Sequence, residues 1–231
     1  MFYNYSSKNF STEDLLKLKN KSRSGNAESQ YLLATYYSDG LSIDNEVKLK
    51  PNRGKAFQLY KLAFENGHES AIVAYANYLL DEKDENYNEK LGITLLLQAI
   101  KQKDFSGAYN LAKHYSLKGH YKKAFQYYLL VEKMGGYGYF EIGMCYYFGL
   151  GTTKDISNAI KYFKALIKNE YWHSEYEFEE ANYILGRLYL EGIHLKKSIS
   201  KAIYHLNIAN RENDHRSAQD ILLFLKKSPK K

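Results

Sequence analysis

The chain has 231 residues, enough for one or two ordinary domains with a sizeable core. Two prolines (Pro51 and Pro229) leave helix almost unobstructed, and the single cysteine, Cys145, excludes an intrachain disulfide. A net charge of +7 admits nucleic acid, acidic proteins or anionic membranes as partners without choosing among them.

The N-terminus, "MFYNYSSKNFSTEDLLKLK", lacks the charged-then-apolar order of a signal peptide. No stretch approaches the ~20 apolar residues of a membrane span. A cytoplasmic chain is the simplest expectation. The first predicted element is a helix near 12–23, with Ser11 as N-cap and Glu13 and Asp14 in its first turn, where acids suit the helix dipole.

From residue 25 the chain repeats itself. "GNAESQYLLATYYSDG" carries a small residue, a large apolar one four positions on, a second small residue, then Tyr and Gly: Ser29, Leu33, Ala34, Tyr37 and Gly40. The same phase recurs at Gly107, Leu111, Ala112 and Tyr115, and more weakly at Ala71, Tyr75, Ala76 and Leu79. It is full again at Gly138, Ile142, Gly143, Tyr146 and Gly149, and at Ala181, Leu185, Gly186, Tyr189 and Gly192. A half copy ends the chain at Ser217, Ile221, Leu222 and Leu225. Spacings of three, four and seven place these residues on one helical face, and the small ones admit a neighbouring helix.

A second amphipathic helix follows each of these five copies, the terminal half copy excepted, built on Ala56, Gly92, Ala124, Ala159 and Ala202. Four positions earlier stand Asn52, Asn88, His120, Asp155 and Ser198, all but His120 being good N-cap types. The joint "FGLGTTKD" (148–155) has phosphate-loop ingredients without their order, and its phase makes it a turn between two helices. Gly149 and Gly151 are expected to supply the backbone angles of that turn.

These columns resemble the Sel-one-like repeat family, close kin of the tetratricopeptide repeat. "YFEIGMCYYFGLGTTKDISNAIKYF" follows the family pattern nearly throughout, with Asn158 where Lys is usual. The resemblance spans about residues 25–225. It implies an all-α, right-handed superhelical solenoid forming a single domain over 1–231. Repeats are expected at 25–66, 67–102, 103–134, 135–170 and 171–212, between capping helices at 11–24 and 213–227. Residues 228–231 are read as a disordered tail.

Chemistry is thin. None of the seven histidines falls in a metal-ligand motif, and there is no nucleophile elbow. Acids in "DEKDEN" (81–86) and "EYEFEE" (175–180) read as solvated loop or helix-end charge. Cys145, among apolar residues, reads as a buried inert thiol. No cofactor, metal or small-molecule substrate is expected, and no catalysis.

The resemblance instead implies binding of another protein or peptide in a concave groove lined by the first helices. The exposed positions would lie two before and two after each marked large residue. The groove then presents Tyr31, Thr35, Asn77, Tyr109, Lys113, Phe140, Met144, Tyr183 and Arg187. Aromatics and Arg are common interface anchors, although an aromatic in the first column equally suits packing between helices. Bacterial members of the family include host-interaction factors, envelope-linked regulators and immunity proteins. Nucleic acid is the alternative partner, from the lysines of the second helices and interleaved tyrosines. The oligomeric state stays open, with a monomer slightly favoured. Two insertions, 41–55 and 169–180, exceed the pattern, and Trp172 in the second is a candidate loop contact.

Overall fold

The computed structural model describes residues 10–44, 46–169 and 174–227. Trp172 and the expected tail 228–231 lie outside the described residues. The described residues form twelve helices: α1 (Thr12–Arg23), α2 (Ala27–Asp39), α3 (Arg53–Glu65), α4 (Ala71–Leu79), α5 (Glu89–Lys101), α6 (Phe105–Leu117), α7 (Tyr121–Lys133), α8 (Tyr139–Phe148), α9 (Ile156–Lys168), α10 (Glu175–Glu191), α11 (Ile199–Ala209) and α12 (Arg216–Lys227). The fold is the expected all-α helical repeat.

The helices start where the sequence places its caps. Ser11 and Asp14 form a reciprocal capping box at α1. The Asn52, Asn88, Asp155 and Ser198 side chains accept the backbone N–H groups of Lys55, Leu91, Asn158 and Lys201 at 2.9, 3.1, 3.0 and 3.3 Å. His120 makes no such bond.

Two compact units divide the chain, Met1–Asn110 and Leu111–Lys231, and the division falls within α6. In the first unit α1 to α5 each pack on the next; in the second, α7 to α12 do the same. The small-residue columns explain that packing. Ala34, Ala76 and Ala112 are fully buried. A Cβ on Gly143 would sit 2.7 Å from the Phe163 ring, and one on Gly186 would sit 2.8 Å from Leu206. The side chains of the following helix therefore occupy the space that a larger residue would need.

One hydrogen bond closes every hairpin. The N–H of the residue that caps the second helix donates to the carbonyl of the marked residue ending the first. The pairs are Asn52 to Tyr37 (2.6 Å), Asn88 to Leu79 (2.8 Å), His120 to Tyr115 (2.8 Å), Asp155 to Tyr146 (2.9 Å) and Ser198 to Tyr189 (3.1 Å). A cation–π contact often sits beside it: the Lys55, Lys123 and Lys201 ammonium groups lie 5.1, 4.9 and 5.4 Å from the Tyr37, Tyr115 and Tyr189 rings. This pairing links two columns that look independent in sequence. In the fourth repeat Asn158 stands where the Lys would be and instead donates to Asp155 at 2.8 Å.

The joint at 148–155 is the turn its phase predicts. Gly149 has φ +75° and ends α8; Gly151 has φ +71°. Gly151 also lies so close to the first residue of α7 that a Cβ would fall 2.1 Å from the Tyr121 carbonyl oxygen. The first insertion differs from the all-helical reading. Leu41–Ile43 (β1) and Glu46–Leu49 (β2) pair antiparallel, and Ile43 and Leu49 are buried with Leu15, Leu18, Leu33 and Tyr36. Burial of the last apolar side chain of each strand, Ile43 and Leu49, which a helical period does not register, drives this exception.

Candidate functional site

In the first unit α2, α4 and the α5–α6 joint enclose an open cleft of about 870 Å³. Two predicted groove residues, Tyr31 and Asn77, line it together, with Val73 and Ala74 at its apolar floor. The Tyr31 ring is held in place. It stacks on the His68 ring at 4.2 Å and meets the Tyr60 ring edge-on at 5.6 Å. His68 Nε2 in turn lies 2.9 Å from the Glu28 carboxylate. A ring fixed by its neighbours loses little entropy on binding. Asn77 is exposed and offers both a donor and an acceptor.

Thr35 is turned to a structural task. Its hydroxyl bonds the Tyr31 carbonyl and the Tyr60 hydroxyl, both at 3.2 Å. Burial pushes the Tyr60 phenol up to about 12, so it stays protonated across the physiological range.

The rest of the cleft wall comes from joints that the repeat columns do not mark: Glu69, Ser70, Gln102, Lys103, Asp104 and Ser106. Lys103 has φ +65°, where the equivalent joints hold Gly25, Gly67 and Gly135. That break in a run of joint glycines is the one sequence signal that singles it out. Asp104 is committed to the start of α6, accepting the Ser106 N–H at 2.8 Å.

Tyr109 and Lys113 sit on α6, the first half-buried and the second exposed. In the second unit Phe140 and Met144 on α8 pack against the core, as does Tyr183 on α10. Phe140 contacts Phe163 and, edge-on at 6.1 Å, Tyr176. The Arg187 guanidinium lies 5.9 Å from the Tyr183 ring and 3.3 Å from Glu191. These aromatics thus serve packing and surface at once. Tyr183 also contacts the His215 ring at 4.5 Å, and His215 Nε2 lies 3.5 Å from Glu180. The second unit therefore repeats the acid–Tyr–His grouping of Glu28, Tyr31 and His68. The sequence signal is the shared Asn-x-His of 66–68 and 213–215.

Two acidic stretches differ from the solvated charge expected of them. Asp84 is 9% exposed and ion-pairs with Arg53, which also reaches Asp81 at 2.7 Å. Glu179 is likewise 9% exposed, because α10 begins with an extra turn that folds against the α11–α12 joint. Cys145 is buried, and burial pushes its thiol up to about 11, far from the thiolate that nucleophilic chemistry needs. Among the described residues no three His, Cys, Asp or Glu side chains converge on a metal position, and no helix is long and apolar enough to cross a membrane.

The Sel1 repeat family profile matches residues 27–68, 136–170 and 179–214. Among solved structures, a Sel1 repeat protein from Oxalobacter formigenes is 21% identical with a TM-score of 0.68, over 89% of this chain and 80% of its own. Immunity protein Pa5087 from Pseudomonas aeruginosa is 12% identical with a TM-score of 0.51, over 86% of this chain and 73% of its own. At these identities the likeness carries the fold.

Proposed function

The chain carries Sel1 repeats, and from that premise we propose that it is a non-catalytic scaffold binding another protein or peptide. The observation that carries this reading is the 870 Å³ cleft with Tyr31 and Asn77 on its wall. It combines a rigid aromatic, an exposed amide and a rim of polar and charged side chains. Such a surface suits an extended peptide segment, whose backbone needs paired donors and acceptors and whose side chains need an apolar floor. A preformed cleft keeps the ordering cost of binding low. Tyr109 belongs to the same proposed surface of the first unit, and Lys113, Phe140, Met144, Tyr183 and Arg187 are proposed contacts of the second unit by itself. A single cognate partner, in the manner of an immunity protein, is the finer form of the proposal; a general adaptor with several weaker clients is the other.

Charge favours one alternative partner. Residues 1–110 hold 14 basic and 14 acidic side chains, whereas 111–231 hold 19 and 12, so the whole excess lies in the second unit. An acidic protein or a nucleic acid would both be drawn there, and steep weakening with salt would mark the nucleic acid.

Affinity capture from the native lysate tests the scaffold. The wild-type chain is compared with a Tyr31→Ala, Asn77→Ala, Arg187→Ala variant of unchanged circular dichroism. Proteins retained by the first and lost by the second are the expected result. If every captured protein survives the triple change, the first-helix surface is not the binding face.

A further inference from the structure

One edge of the second unit carries lysines and exposed apolar side chains together. That unit joins a first helix to a second at 118–120, 149–155 and 192–198. The three joints lie side by side. Gly151 of the second joint sits against the Tyr121 carbonyl and the Lys122 nitrogen, which open α7 beyond the first joint. Leu195 of the third packs on the core cluster that includes Ile156, the residue that opens α9 beyond the second. In keeping with this, the Asp155 carboxyl is held below the usual carboxylate range chiefly by hydrogen bonds from Asn158, with His194 of the third joint adding to them.

Each joint presents an apolar side chain that joins no core. Leu117 is 86% exposed, Phe148 56% and Ile193 78%. A single exposed apolar residue is ordinary surface. Three in successive joints, with lysines around them, are not. Lys118 and Lys122 flank the first joint, Lys154 lies in the second, and Lys196 and Lys197 lie in the third, all exposed. The nearby carboxylates are committed to their own helices. Asp155 accepts the Asn158 N–H at 3.0 Å, and Glu191 pairs with Arg187 at 3.3 Å. The first unit supplies the contrast. Two residues beyond the carbonyl that closes the hairpin stand Leu117 and Phe148 in the second unit, but Asp39 and Asp81 in the first. The repeat therefore folds without an apolar side chain at this position.

We propose that this edge docks on an anionic lipid bilayer, with Leu117, Phe148 and Ile193 entering the interface and the lysines meeting the headgroups. The shape favours a bilayer over a folded protein. Separate projecting tips would need three matched pockets in a protein, whereas the boundary between headgroups and acyl chains yields to each of them. The side chains favour it over a nucleic acid, because Leu117 and Ile193 have no ring on which a base could stack. Apolar insertion and attraction between lysine and anionic lipid add together at a membrane surface. This surface is separate from the cleft of the scaffold reading and does not depend on it.

Co-sedimentation of the full chain with lipid vesicles is the test. Vesicles of phosphatidylcholine alone are compared with vesicles in which about a quarter of the lipid is phosphatidylserine. Binding to the second and not to the first is expected, and it should weaken about tenfold in about 0.5 M salt, which screens surface charge. Leu117→Ser, Phe148→Ser and Ile193→Ser together, with circular dichroism unchanged, should weaken binding about tenfold. Lys122→Glu, Lys154→Glu and Lys196→Glu together should abolish it. Leu16→Ser with Val47→Ser, at comparably exposed positions of the first unit, should bind as the wild type does. Failure to bind the anionic vesicles overturns the proposal. So does a triple-serine variant that binds as well as the wild type, since the lysines would then adsorb to any polyanion, a single-stranded oligonucleotide included. Equal loss in the Leu16 and Val47 variant also overturns it, because the edge would then have no special part. None of these outcomes bears on partner capture, so the scaffold reading stands or falls separately.

Discussion

The joint at 148–155 offers an internally controlled test of how the repeats lock together. Gly149 and Gly151 have nearly the same φ, +75° and +71°, so alanine at either position incurs the same left-handed penalty, about 1–2 kcal/mol. Their surroundings differ. A Cβ on Gly149 would approach the Lys154 nitrogen to 3.3 Å, a tight contact that a small shift relieves. On Gly151 it would fall 2.1 Å from the Tyr121 oxygen and 2.4 Å from its carbonyl carbon. Both are backbone atoms at the start of α7, and no rotamer change can move them. The joint and α7 would have to separate by roughly 1 Å, which adds overpacking strain of about 1–3 kcal/mol. Gly149→Ala is thus expected to cost about 1–2 kcal/mol and Gly151→Ala about 2–5 kcal/mol. Urea unfolding followed by circular dichroism at 222 nm measures both, provided the slope with denaturant stays at its wild-type value. Equal destabilisation of the two variants, within about 0.5 kcal/mol, would refute the close-approach argument, because the shared φ term would then be the whole effect.

Four further outcomes are expected. Asn52→Ala removes the bond to the Lys55 N–H and should cost about 1 kcal/mol, read from urea midpoints, whereas His120→Ala, with no cap bond to lose, should cost less. Phe163→Ala, at a fully buried position against Gly143, should cost about 3–5 kcal/mol and lower the melting temperature by several degrees. The Glu179 carboxyl is raised in the fold, so its folded form holds a proton to higher pH than the unfolded chain does. Its contribution is therefore favourable in acid and lost as pH rises through the folded pKa, so the stability gain of Glu179→Gln should be larger at pH 7 than at pH 4, as thermal melts at the two values would show. Cys145, buried and pushed up to about 11, should resist a thiol-specific reagent at pH 8 in the native protein and react at once in urea.

The repeat was legible because its columns answer to contacts that recur. Small residues at 34, 76, 112, 143 and 186 mark where the next helix arrives, and the cap types at 52, 88, 155 and 198 mark where it starts. Tyr31 and Asn77 come from what the family resemblance implies about the positions flanking those columns. Glu69, Gln102, Lys103 and Asp104 could not be named that way, since a joint residue reaches the cleft only through the angle at which two helices meet. The burial of Glu179 was hidden for a related reason: a run of acids looks solvated until an added helical turn folds it over a neighbouring loop. The hairpin at 41–49 escaped notice because only one side chain of each short strand, Ile43 and Leu49, is buried, too few to set a strand period in the sequence.

The bond that closes each hairpin joins residues five apart at Tyr115–His120, nine apart at Tyr146–Asp155 and fifteen apart at Tyr37–Asn52. The geometry at both ends is the same, and the chain between them is free to differ. Lengthening such a segment costs little, because closure entropy grows only with the logarithm of its length. The hairpin joint is therefore a slot into which evolution can splice new surface wherever the joint is not itself packed on a neighbouring helix, as Gly151 is on α7. A protein designer could use it the same way, placing a foreign binding loop in the short joint between Tyr115 and His120, where a Cβ on Gly119 would meet nothing within 4 Å.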